Sequence, residues 1–411
     1  MSYLEVFVEV AIALAIILAA CQIVGSLAKY ISQPRVVGEM IAGVLLGPTL
    51  FGKIFPDLYA AVFPPEVMPF LFVIANIGLS IYMFLVGSEI NLKLFNKKLI
   101  TDAVGISSAA IVVPFGFGFL AALIYTDTLN TEDLSTFEFT VFMGTAFAIT
   151  AFPMLARILQ DNHLIQTRIG GLAMVSASIQ DVVSWILLGL VTALAVGSGL
   201  GSLIYMIGGA TILVLVLFYV AKPLLSIWIK RLPVEPFNQA IFGAVLFLLI
   251  TSAIITDQLG LYSVFGGFIL GLAMPRNKQL LSGISIRLKD ITLVLLLPVF
   301  FAFSGLNTDL NLLTKTENIA PALVLLLFAC ASKILPLYGS MKWRGYSTGD
   351  SFSIAYLMNA RGLMELIIAN IGLMYGLIDY TLYSILVLIA IVTTLGAMPL
   401  YNWNQKIFRK K

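Results

Sequence analysis

Apolar residues along this chain gather into long runs separated by short polar stretches. Thirteen runs, at 5–29, 35–50, 67–88, 101–126, 137–156, 168–195, 203–229, 238–256, 260–275, 284–305, 319–341, 350–375 and 379–405, predict thirteen membrane-crossing helices. The second and ninth are short and glycine-rich. Consecutive loops must then alternate between the two faces of the bilayer. Of 24 Lys and Arg residues, twenty fall on one face, and only Lys53 and Lys315 fall on the other. The positive-inside rule makes the first face cytoplasmic, with the N-terminus outside and the C-terminus inside.

Composition agrees with this pattern. Hydrophobic residues make up 60% of the 411 and charged residues 11%, against about 25% in an ordinary soluble domain. Soluble, disordered and coiled-coil readings fall away. One histidine (His163) and two cysteines (Cys21, Cys330) are too few for a zinc, haem or iron–sulfur centre, and no cofactor is expected. The first apolar run lacks a basic leader and a small-residue cleavage site, so it reads as a retained span. A net charge of +3 points to no nucleic-acid partner.

Two basic residues, Lys333 and Arg361, and two acids, Asp181 and Glu365, remain inside predicted spans; Glu39 and Glu89 lie near span ends. An ionisable group at bilayer depth costs at least ~2.5–3.5 kcal/mol on insertion scales and marks function by default. For Arg361 and Glu365, four residues apart on one helix face, a structural ion pair is an equal reading.

The chain also echoes itself. Residues 84–92 (Phe-Leu-Val-Gly-Ser-Glu-Ile-Asn-Leu) parallel 302–310 (Ala-Phe-Ser-Gly-Leu-Asn-Thr-Asp-Leu), and Gly38 and Gly43 parallel Gly266 and Gly271. Both pairings offset the helices by seven. An odd offset reverses direction, which predicts two inverted six-helix repeats joined by a linker helix. The two repeats then cover 1–198 and 233–411, with the linker at 199–232. Inverted repeats build secondary transporters whose site lies between broken helices. Helices 5 and 12 correspond under the repeat, and each carries an interruption: Pro153 in one, Asn359, Arg361 and Gly362 in the other. Pro153 alone would also suit an ordinary kink.

Helix 6 places Asp181 between these breaks in sequence. Desolvation favours the protonated carboxyl and a cation favours the carboxylate, so the group holds either a proton or a hard cation. Gln180, Ser178, Thr150 and carbonyls freed by the break could complete an oxygen cage. Lys333 has two readings, a partner that pairs with Asp181 when the site is empty, or a permanent strut to a carbonyl or to Glu365.

Five passages together resemble one family: 33–48 (Gln-Pro-Arg-Val-Val-Gly-Glu-Met-Ile-Ala-Gly-Val-Leu-Leu-Gly-Pro), 150–159 (Thr-Ala-Phe-Pro-Met-Leu-Ala-Arg-Ile-Leu), 178–182 (Ser-Ile-Gln-Asp-Val), 298–306 (Pro-Val-Phe-Phe-Ala-Phe-Ser-Gly-Leu) and 358–366 (Met-Asn-Ala-Arg-Gly-Leu-Met-Glu-Leu). Over essentially its whole length the chain is similar to the monovalent cation:proton antiporter-2 family, especially plant cation/proton exchangers and the membrane part of bacterial potassium-efflux antiporters. The resemblance implies exchange of K⁺ or Na⁺ for H⁺ by an elevator movement, with a core of helices 4–6 and 11–13 (96–198 and 316–411) sliding against a dimerised scaffold of helices 1–3 and 8–10 (1–95 and 233–315). It implies that Asp181 binds the ion, that Thr150 lies at the helix 5 break, and that Lys333 matches the family's helix 11 lysine. Electrogenic relatives carry two aspartates where this chain has Gln180 and Asp181. The departure favours electroneutral exchange, leans toward K⁺ and resembles the potassium-efflux branch. A second departure is a tail that ends shortly after the last span, so nucleotide gating would need a separate subunit. A homodimer in a bacterial plasma membrane is the expected setting. The rival readings are a cation-coupled solute symporter and a cation channel; no constellation suggests an enzyme.

Overall fold

The computed structural model describes residues 3–30, 33–89, 97–130, 135–165, 167–195, 199–231 and 239–408. Among these residues all regular structure is helical, without strands. The helices are α1 (Tyr3–Tyr30), α2 (Arg35–Leu46), α3 (Met68–Glu89), α4 (Lys97–Leu129), α5a (Thr136–Ala148), α5b (Phe152–Asp161), α6 (Arg168–Ala195), α7 (199–231), α8 (Gln239–Gln258), α9 (Ser263–Ala273), α10 (278–306), α11 (Thr316–Trp343), α12a (Thr348–Leu357), α12b (Leu363–Met374) and α13 (Tyr380–Phe408). Nine helical segments among the described residues are individually long and apolar enough to cross a membrane. The remaining predicted spans correspond to the broken pairs α5a/α5b and α12a/α12b, to the short α9 and to α10, where a π-helical turn (Thr292–Leu296) interrupts the α-helix. The chain is thus an all-α integral membrane protein.

Local chemistry sets the ends that the apolar runs left loose. Predicted helix 2 ends at Leu46 because Gly47 precedes Pro48, which disfavours helical backbone at Gly47 (ψ −168°). Met274 before Pro275 ends α9 in the same way. Helix α10 begins earlier than its apolar run, because the Asn277 side chain accepts hydrogen bonds from Gln279 N and Leu280 N. A capping box between Ser135 and Glu138 opens α5a.

The chain forms two compact units, one from 1–18, 61–92 and 192–303, the other from 19–60, 93–191 and 304–411. In the first unit α3 packs against α9 at a glycine crossing. A Cβ on Gly87 would lie 2.4 Å from Phe268 O and 3.2 Å from Gly271 Cα, and one on Gly271 would lie 2.2 Å from Phe84 O. In the second unit α10 meets α2, where a Cβ on Gly305 would lie 2.1 Å from the Gly43 carbonyl carbon. The residues that echo each other in sequence therefore make equivalent contacts. Gly38 against Gly25 and Gly266 against Ala253 repeat the correspondence. Residues 90–92 of the first echo, and the expected domain boundaries at 95/96, 198/199 and 232/233, lie outside or at the limit of the described residues.

The second unit holds the deepest burial. Helix α5a is buried from Phe139 to Ala148, and α13 has a long buried face around Thr393 and Thr394. Non-helical backbone can persist only in such surroundings.

Candidate functional site

Helix 5 is broken at Ile149–Ala151. Ile149 leaves the helix in extended geometry (φ −60°, ψ 139°), and the chain becomes helical again at Phe152. Pro153 stands in the first turn of α5b, where its missing N–H has no helical partner to lose. The interruption of helix 12 spans Met358–Gly362. Gly362 adopts φ +149°, a region that disfavours side chains, and a Cβ there would lie 2.8 Å from Met154 Cε of α5b. The two breaks are neighbours.

A helix that stops inside a membrane protein leaves carbonyls without donors and a partial negative charge at its end. Two buried cations answer both at the end of α5a. Arg361 donates to Ala146 O (3.1 Å) and Phe147 O (3.0 Å), and Lys333 Nζ donates to Ala148 O (2.8 Å). The same ammonium reaches Ala110 O (2.8 Å) and Thr150 Oγ1 (2.6 Å), with Gln180 Oε1 at 3.5 Å. The Thr150 hydroxyl then donates to Gln180 Oε1 at 2.5 Å. Arg361 also ion-pairs with Glu365 at 2.9 Å, both almost wholly buried. Lys333 has no ion pair within 4.0 Å among the described residues, either with Asp181 or with Glu365. Its arrangement here is that of the strut to backbone oxygens.

Asp181 sits on α6 with 0% of its surface exposed. Its Oδ2 accepts from Trp185 Nε1 at 3.3 Å, and the Phe152 backbone amide borders the carboxylate. Oδ1 makes no hydrogen bond among the described residues. A buried carboxylate oxygen without a donor is costly unless a proton or a cation takes that place.

The other residues singled out from sequence divide. Gln180, Thr150, Lys333, Arg361 and Glu365 are joined by the contacts above. Asn359 is buried, with Nδ2 3.9 Å from Cys330 Sγ and Oδ1 unpartnered. Ser178 donates to Met174 O on its own helix and enters none of these contacts. Two participants were missed. Trp185 stands one turn beyond Asp181, and that spacing was the available signal. Thr394 Oγ1 lies 2.5 Å from Arg361 O at the helix 12 break and 2.7 Å from Ala390 O, and the repeat would have directed attention to α13 as the counterpart of α6.

The chain matches the family described as "Sodium/hydrogen exchanger, transmembrane" over residues 12–401. It is 34% identical to Na(+)/H(+) antiporter NhaS4 of Synechocystis sp., covering 94% of both chains. It is 32% identical to K(+)/H(+) antiporter 1 of Saccharomyces cerevisiae and 33% identical to Cation/H(+) antiporter 17 of Arabidopsis thaliana. In each case 94% of this chain is covered, but only 45% and 47% of the relative, so the chain spans about half of those longer proteins. Among solved structures, the sodium proton antiporter MjNhaP1 from Methanocaldococcus jannaschii superposes with a TM-score of 0.64 at 18% identity, covering 98% of this chain and 100% of that one, a likeness of fold.

Proposed function

Because the chain belongs to the transmembrane sodium/hydrogen exchanger family, we propose that it is a secondary antiporter exchanging a monovalent cation, K⁺ or Na⁺, for H⁺ at Asp181. The observation that carries this reading is Asp181 Oδ1, fully buried and without a hydrogen-bond donor among the described residues. A proton or a dehydrated cation satisfies that oxygen, and occupation by one excludes the other. Thr150 and Gln180 stand beside Lys333 at the break, while Arg361 and Lys333 hold the end of α5a and compensate its dipole.

Gln180 is neutral where a second carboxylate would add a proton site, so one H⁺ exchanges for one cation and transport is electroneutral. Alternating access follows from the core helices, 4–6 and 11–13, sliding as an elevator against a scaffold of helices 1–3 and 8–10 that pairs two copies. The lysine- and arginine-rich face lies in the cytoplasm, and a bacterial plasma membrane is the favoured setting.

The test is proteoliposome exchange read by a pH-sensitive dye with Li⁺, Na⁺, K⁺ and Rb⁺. Wild type should move protons against K⁺ or Na⁺, and Asp181→Asn should be folded and silent with every ion. Exchange that survives Asp181→Asn sinks the reading. A reversal point that moves with imposed voltage removes electroneutrality alone. Cation-driven current without proton counterflow would instead indicate a channel.

A further inference from the structure

We infer that Trp185 is a positioning residue for the ion site, holding one oxygen of Asp181 so that the other is the oxygen offered to the cation. The inference rests on the reading of Asp181 as the ion-binding carboxylate. Its own support is geometric. Trp185 Nε1 lies 3.3 Å from Asp181 Oδ2 across one turn of α6, and the two residues are 1% and 0% exposed. Trp185 is among the largest fully buried side chains of the protein. Its indole thus excludes water from the bonded oxygen while its N–H satisfies it. Oδ1 is left without a hydrogen bond among the described residues.

The chemistry of the donor matters. An indole N–H donates only, carries no charge and does not titrate in the physiological range. An ammonium in the same place would compete with the entering cation for the carboxylate. Here the nearby ammonium, Lys333, is engaged by Ala110 O, Ala148 O and Thr150 Oγ1. An entering ion therefore breaks no salt bridge to Asp181. It meets a single oriented oxygen, on a carboxyl group whose terminal torsion would otherwise be broad. Trp185 in this way sets the affinity and the coordination mode of the site, without taking part in proton transfer.

The test compares cation KM and kcat at one fixed pH in proteoliposomes, with direct K⁺ and Na⁺ titration of the purified protein by calorimetry. Trp185→Phe removes the donor and most of the bulk is kept. Incorporation of 3-benzothienylalanine at 185 replaces the N–H by sulfur and keeps the shape, which guards against a folding failure in the first variant. Both should raise the cation KM, and the calorimetric Kd with it, about three- to tenfold while kcat stays within about twofold. A benzothienylalanine protein with unchanged KM and Kd overturns the inference, as does a loss confined to kcat or to the yield of folded protein. Failure of the underlying reading looks different: Asp181→Asn would still exchange. If Asp181→Asn is silent and the Trp185 variants bind as wild type does, only the positioning role falls.

Discussion

Lys333 and Arg361 are tolerated inside an apolar protein because oxygens surround them, and three of those oxygens, Ala146 O, Phe147 O and Ala148 O, are backbone carbonyls stranded where α5a ends. Removing the ammonium strands the acceptors again. Lys333→Met should therefore lower the detergent melting temperature by several degrees, since each buried group left unsatisfied costs about 1–3 kcal/mol. Exchange per folded molecule should persist, because Lys333 makes no ion pair with Asp181. An unchanged melting temperature would contradict the strut. Gly362 carries a different constraint. Its φ of +149° strains any side chain there, and Met154 Cε, 2.8 Å from where a Cβ would lie, would have to swing aside for alanine. Gly362→Ala should cost about 1–3 kcal/mol from backbone strain alone. Shortening Met154 in the double variant should recover only the steric part, as read by melting temperature.

At the scale of helices, stability depends on backbones that touch. The α3/α9 and α2/α10 crossings put glycine against backbone atoms at distances no side chain tolerates. Gly271→Ala and Gly305→Ala should each sharply reduce the yield of monodisperse protein. Gly243 on α8 is the internal control, since a Cβ there meets nothing within 4 Å. Gly243→Ala should leave folding intact or improve it by up to about 1 kcal/mol, the ordinary helix preference for alanine. Equal behaviour of all three variants would remove the argument from close packing. The same crossings give the internal repeat a physical content, since a glycine spacing legible in the chain becomes one kind of backbone contact made twice.

Across the whole molecule, the proposed orientation rests on the distribution of basic residues. Lys53 and Lys278 are both exposed, on loops assigned to opposite faces. With Cys21 and Cys330 replaced by alanine, a cysteine at position 53 should react with an impermeant maleimide on intact cells. A cysteine at 278 should react only after permeabilisation. The reverse pattern would invert the topology and the direction assigned to exchange.

Hydropathy, charge bias and glycine spacing are local in sequence, and they determined the spans, the interruption ahead of Pro153, the one around Asn359–Gly362 and the isolation of Asp181 in mid-span. Burial forces these patterns, because a bilayer admits few polar residues and few interruptions. Partnerships are another matter. That Lys333 reaches Ala110 and Ala148, 223 and 185 residues away, was decided by tertiary packing. So was the choice between a lysine bound to carbonyls and one bound to Asp181, because a side chain of that length could serve either. Ser178 looked like a ligand by composition and spends its hydroxyl on its own helix. Trp185, not singled out from sequence, donates to the carboxylate from one turn away. Sequence limits which groups must find partners in a medium without water; only the folded arrangement of helices decides which partners come within 3 Å.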